Sequence, residues 1–79
     1  MSGSIYFHVD GASWVTCHAY GRQRTPILSV SCSGLSLSIA GDDRASVADQ
    51  LQFARELAAE TAAFLGAMEE FASAARTAD

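Results

Sequence analysis

Polar and apolar residues alternate along the first half of the chain and follow a helical period along the second half. From residue 4 to residue 40, apolar side chains recur at every second position, which is typical of strands with one face against a core. From residue 46 to residue 76 the sequence has no proline, is rich in alanine and repeats apolar residues at helical spacing. The change falls at Gly41, so the pattern predicts strands followed by one helix.

Four strands are predicted before Gly41. Asp10-Gly11 and Ser33-Gly34 are turn signals, and residues 21–26 form a polar loop that ends in proline. No connection is long enough for a crossover helix, so successive strands are expected to pair in an antiparallel meander of order 1-2-3-4. The predicted strands are Ile5–Asp10, Trp14–Tyr20, Ile27–Cys32 and Leu35–Ala40.

One long helix is predicted over residues 46–76. Ser46 is a good N-cap residue, and Asp49 three positions later suits the first turn of a helix. At 1.5 Å per residue, the helix would be roughly 45 Å long. The fold class is therefore α+β, with a four-stranded meander over residues 4–40 and a C-terminal helix in two layers (ββββα). With 79 residues there is room for a single domain, 1–79.

The apolar side of the predicted helix is unusually wide. At 100° per residue it covers an arc of about 160°, where a surface helix usually needs about 100°. Acidic residues lie on the opposite side, as expected for a solvated surface: Asp49, Glu56, Glu60 and Glu70. The members of the apolar arc are Val47, Leu51, Phe53, Ala54, Leu57, Phe64, Leu65, Met68 and Phe71.

The predicted helix has more apolar surface than a small sheet can cover. A strand of about six residues is near 20 Å long, less than half the length of the helix. A second copy of the chain would cover the surplus and the uncovered part of the sheet, whereas a helix lying diagonally would absorb part of it within one chain. We therefore expect a homodimer formed through the helix and the sheet edge, with these interface residues: Leu57, Phe64, Leu65, Met68 and Phe71.

The outward face of the first two strands predicts a second contact surface. Aromatic and histidine side chains alternate there beside serines from the other two strands, and tyrosine and tryptophan are enriched at interface hot spots. A one-residue change in the turn before Trp14 would instead direct that side chain into the core. The candidate partner-surface residues are Tyr6, His8, Trp14, His18 and Tyr20.

The sequence contains no arrangement typical of catalysis, cofactor binding or metal binding. Cys17 and His18 are adjacent in a strand, so their side chains would point to opposite faces and could not act as a nucleophile and its base. Cys17 and Cys32 would face the core, while His8 and His18 would face away from it, so the four cannot converge on one ion. We therefore expect a non-enzymatic protein with no cofactor and no metal.

Charge and composition narrow the possible partners. The net charge of −4 makes nucleic acid an unlikely ligand, because nucleic-acid binding relies on cationic side chains. It also allows an alternative function, an acidic inhibitor of the phage or mobile-element type that binds the basic nucleic-acid-binding surface of a host protein. No segment predicts a signal peptide or a membrane span, and two cysteines are too few for a disulfide scaffold. The expected location is the cytoplasm.

Three stretches, together under half of the chain, carry a resemblance to other small proteins: Ile5–Asp10, Pro26–Val30 and Val47–Leu57. In these, and in its high alanine content and use of arginine without lysine, the chain resembles uncharacterised small proteins of actinobacteria and their phages. No catalytic or binding motif accompanies the resemblance, so it implies no function.

Overall fold

The computed structural model describes residues 3–77 and has an α+β architecture. Three strands form one antiparallel sheet: β1 (Trp14–His18), β2 (Ile27–Cys32) and β3 (Leu35–Ala40). One helix follows, α1 (Val47–Thr77). The predicted change from strands to helix is confirmed, but the prediction of four strands is wrong, because the sheet contains three.

The sheet has the order β1-β2-β3 and two chain reversals of different length. Between β2 and β3, Cys32 pairs with Leu35 around the two-residue turn Ser33-Gly34. Gly34 adopts a φ of 77°, a conformation that a side chain would strain. The longer loop between β1 and β2 ends at Pro26, and the ladder begins at the pair His18 and Ile27. The antiparallel pairing of these three segments agrees with the prediction.

The segment Ile5–Asp10 does not form the predicted first strand. Asp10 and Ser13 close a turn in which the Ser13 amide donates to the Asp10 carbonyl at 3.1 Å and the Ala12 amide donates to Asp10 Oδ1 at 2.9 Å. Gly11 does not adopt a positive φ there. Turns whose central residues lack positive φ splay the flanking strands, so this turn does not direct the segment into a hairpin with β1.

The N-terminal segment instead lies beside β3. Ile5 and Phe7 line a shallow cavity of about 100 Å³ together with Leu35, Ser36 and Leu37. Phe7 is half-buried, whereas Ile5 is exposed. The expected order, with this segment next to β1, is therefore wrong: Ile5 and Phe7 line a cavity with residues of β3, at the other edge of the sheet.

The helix begins where the sequence predicts. Ser46 is its N-cap, with Ser46 Oγ accepting a hydrogen bond from the Asp49 amide at 3.0 Å. Asp49 lies in the first turn and Arg76 in the last turn, and both charges suit the helix dipole. The 31 residues of α1 extend about 46 Å at 1.5 Å per residue.

No side chain between residues 3 and 76 is fully buried. All six residues of β2 are half-buried, since β2 is the central strand, while most residues of β1, β3 and α1 are exposed. The chain divides between Asp42 and Asp43 into two compact units, a sheet unit and a helix unit. The expectation that the sheet and the helix pack together as two layers of one domain stays a prediction.

Replacing the N-cap tests the start of the helix. The Ser46→Ala variant removes the acceptor of the Asp49 amide and should destabilise the helix by about 1 kcal/mol. Far-ultraviolet circular dichroism during thermal unfolding measures this change. The matched control is Ser46→Asp, which keeps a capping oxygen and should melt close to the parent protein. Equal melting of the alanine variant and the parent would contradict the assigned N-cap.

Candidate functional site

The register of the sheet separates an apolar face from a serine-rich face. In an antiparallel ladder, residues directly opposite each other share a face. The apolar face comprises Val15, Cys17, Leu28, Val30, Cys32, Leu35, Leu37 and Ile39. The other face, which we call the serine face, comprises Trp14, Thr16, His18, Ile27, Ser29, Ser31, Ser36, Ser38 and Ala40. The alternation in the sequence is thus realised across all three strands.

Trp14 lies on the serine face. It pairs with Ser31 of β2, and Ser31 in turn pairs with Ser36 of β3. The Trp14 side chain is 51% exposed. Of the two orientations that the sequence left open, the register has the one in which Trp14 shares a face with the serines. Trp14 and His18 both lie on this face of β1, separated by Thr16, and both are exposed.

Tyr6 and His8 stack on each other in the N-terminal segment. Their ring centroids are 5.9 Å apart and their planes differ by 14°. Side chains two positions apart lie on the same side of an extended segment, so this contact follows from the alternation in the sequence. The stack lies outside the sheet ladder, and Tyr6 is 82% exposed.

Tyr20 lies in the loop after β1 and contacts an arginine. The Arg24 guanidinium carbon lies 4.0 Å from the centre of the Tyr20 ring, a cation–π contact. The Gln23 amide donates to the Tyr20 carbonyl at 3.2 Å, and Gly21 adopts a φ of 62° in the same turn. The five predicted partner-surface residues therefore lie in three segments: a stacked pair, two residues of β1 and a loop tyrosine.

The two cysteines share the apolar face but are not adjacent. Cys17 pairs with Leu28, four positions along β2 from Cys32. Both thiols are free, and Cys17 is exposed, which corrects the expectation that it lies in a core. His18 is on the serine face, so Cys17 and His18 point to opposite sides of the sheet. Across residues 3–77, no group of three or more His, Cys, Asp or Glu side chains could hold a metal ion.

The predicted helix interface is exposed to solvent. Four of its five residues are exposed, at 59% for Phe64 and Leu65, 43% for Met68 and 68% for Phe71. Leu57 is half-buried. Within the arc, Thr61 Oγ1 donates to the Leu57 carbonyl at 2.8 Å, so this polar residue satisfies its hydroxyl within its own helix.

The exposed arc continues into the first half of the helix, which the sequence-based interface did not include. Val47, Leu51 and Phe53 are also exposed. Sequence reasoning placed these residues on the arc but expected the sheet to cover that half. The continuous apolar spacing from residue 47 to residue 71 was the signal that identified them.

Comparisons with known proteins add no assignment. The chain matches no protein-family model, no curated protein and no solved structure. Within the described part of the chain, α1 lacks the apolar length needed to cross a membrane.

A substitution of Trp14 tests its placement. Trp14→Thr should change the free energy of unfolding by less than about 0.5 kcal/mol, since the side chain is half exposed and threonine suits a strand. Urea unfolding followed by circular dichroism measures it. The control is Val30→Thr in the central strand, which places a hydroxyl on the apolar face and should cost about 1 kcal/mol or more. A loss of several kcal/mol for Trp14→Thr would mean that the indole fills a core.

Proposed function

We propose that this protein is a small non-enzymatic interaction module that acts as a homodimer through α1. The exposed apolar arc of the helix is the observation on which this rests. Seven large apolar side chains along one helix are exposed: Val47, Leu51, Phe53, Phe64, Leu65, Met68 and Phe71.

The extent of the arc supports burial against another chain. Monomeric proteins rarely expose continuous apolar patches larger than a few hundred Å², and larger ones mark interaction sites. Burying a large apolar side chain completely stabilises a complex by about 1.5–3 kcal/mol. Leu57, Phe64, Leu65, Met68 and Phe71 form the centre of the proposed interface.

The sheet supports two further contacts. Within residues 3–77, β1 pairs only with β2, so the outer edge of β1 is open to another strand, which supports the proposed sheet-edge contact. The serine face presents Trp14 and His18 to a different protein.

The opposite orientations of Cys17 and His18 support the non-enzymatic assignment. The two free thiols support a reducing compartment such as the cytoplasm.

A second candidate function is inhibition of a protein with a basic surface. Glu56, Glu60 and Glu70 are all exposed, on the side of α1 opposite the apolar arc. Their carboxylates could occupy a surface that otherwise binds nucleic-acid phosphates.

The inhibitor hypothesis predicts that reversing the charges on the acidic side of α1 strongly weakens binding of the basic partner. Combined Glu56→Arg, Glu60→Arg and Glu70→Arg substitutions should abolish co-purification of a basic partner. Binding of that partner should also weaken steeply with salt. The control is Asp43→Arg, which reverses a charge outside α1. Unchanged binding by the triple variant would exclude charge mimicry.

The homodimer is tested by the mass in solution. Light scattering coupled to size exclusion, over a dilution series, should give twice the chain mass of 8.3 kDa at high concentration. Phe64→Glu should shift the protein to the monomer, because a carboxylate would be desolvated in the interface. Ala63→Glu, on the opposite side of the helix, adds the same charge and should leave the dimer intact. A strict monomer at every concentration would contradict the proposal and favour a helix that uses its arc within one chain.

A further inference from the structure

Most large apolar residues of α1, with Phe53 as an exception, follow a seven-residue repeat, and this repeat defines how a second helix can pack on it. One position of the repeat, called a, holds Val47, Ala54, Thr61, Met68 and Ala75. The position three residues later, d, holds Gln50, Leu57, Phe64 and Phe71, and the next position, e, holds Leu51, Ala58, Leu65 and Ala72. A repeat of seven keeps the same side of a helix against its partner over several turns, as in coiled coils.

The sizes of these side chains distinguish two orientations of the partner. In a parallel pair, each residue meets its own copy, so Phe64 meets Phe64 while Ala54 meets Ala54. The layers at Ala54 and Thr61 would then be underfilled and those at Phe64 and Phe71 crowded, which dense packing disfavours. In an antiparallel pair, an a residue meets a d residue of the other helix. Ala54 then lies opposite Phe71, Thr61 opposite Phe64, and Met68 opposite Leu57. Each of these three layers joins a small residue to a large one, or two of middle size, and an outer layer joins Gln50 to Ala75.

The flanking charges agree with the same antiparallel register. Arg55 and Glu69 lie on the same edge of the arc, at equal distances in sequence from Ala62. Neither has an opposite charge three or four residues away in its own helix, where a helical ion pair would form. With the two-fold axis near Ala62, Arg55 of each chain faces Glu69 of the other. The dimer would contain two such pairs.

We propose that the occupant of the apolar arc is α1 of a second copy, lying antiparallel with its two-fold axis near Ala62. This inference rests on the proposed homodimer and adds its orientation and register. The two helix N-termini then lie at opposite ends of the pair, about 46 Å apart. Each dimer thus carries two copies of the sheet unit and is a bivalent module.

Charge reversal tests the orientation. Arg55→Glu alone makes each of the two pairs carboxylate against carboxylate, and Glu69→Arg alone makes each pair guanidinium against guanidinium, so each variant should weaken self-association about tenfold or more. Sedimentation equilibrium at low salt measures both dissociation constants. An equimolar mixture of the two variants should form a heterodimer close to the affinity of the parent, because both pairs are opposite in charge again. Glu70→Arg is the control for net charge and should dimerise like the parent.

The outcomes separate the two proposals. Recovery in the mixture, and in the double variant Arg55→Glu/Glu69→Arg, supports the antiparallel register. A parent dimer whose single variants weaken without recovery in the mixture overturns the antiparallel register and leaves the homodimer standing. Single variants that dimerise like the parent likewise overturn the register. A parent chain that is monomeric at low and high concentration overturns the homodimer itself. Circular dichroism of each variant verifies that α1 has formed.

Discussion

The apolar side of α1 is the constraint on which the rest of the structure depends. Isolated helices are marginal in water, and most helices are stabilised by burying one side. Here the N-cap at Ser46 and the alanine-rich sequence favour the helix locally, yet the large side chains along it are exposed. A helix of 31 residues with this apolar surface gains most of its stability when that surface is buried against another part of a protein. Folding of the helix unit and association are therefore expected to be coupled.

In the sheet unit, the conformation of each turn determines whether the next segment joins the sheet. The Ser33-Gly34 turn brings β2 and β3 into register, and the positive φ of Gly34 makes this tight connection possible. The turn at Asp10 is closed by hydrogen bonds to Asp10, but without positive φ it does not extend the ladder. The consequence is a small sheet with one apolar face and one polar face, and with an unpaired edge at β1.

The elements that sequence reasoning identified are those specified by local signals. The capping serine and the unbroken helical spacing define α1, and alternation with Ser33-Gly34 defines β2 and β3. The sequence predicted a strand at Ile5–Asp10 that the structure lacks. Alternation shows which side of an extended segment is apolar, but it does not show whether the segment pairs with another strand. That outcome depends on the backbone of Gly11, which the sequence leaves open. For the candidate site, alternation predicted the serine face and the Tyr6–His8 side. The contact of Arg24 with Tyr20 depends on a loop conformation that residue types alone do not determine.

The central claim is that two copies of α1 cover each other in opposite directions. Electron paramagnetic resonance can test it with one spin label at position 48, in an Ala48→Cys chain whose native Cys17 and Cys32 are replaced by alanine. In the proposed register, residue 48 of one chain lies beside residue 76 of the other, so the two labels should be about 42 Å apart at 1.5 Å per residue. A distance below about 20 Å would indicate parallel helices, and the absence of any dipolar coupling between labels at high concentration would contradict the dimer.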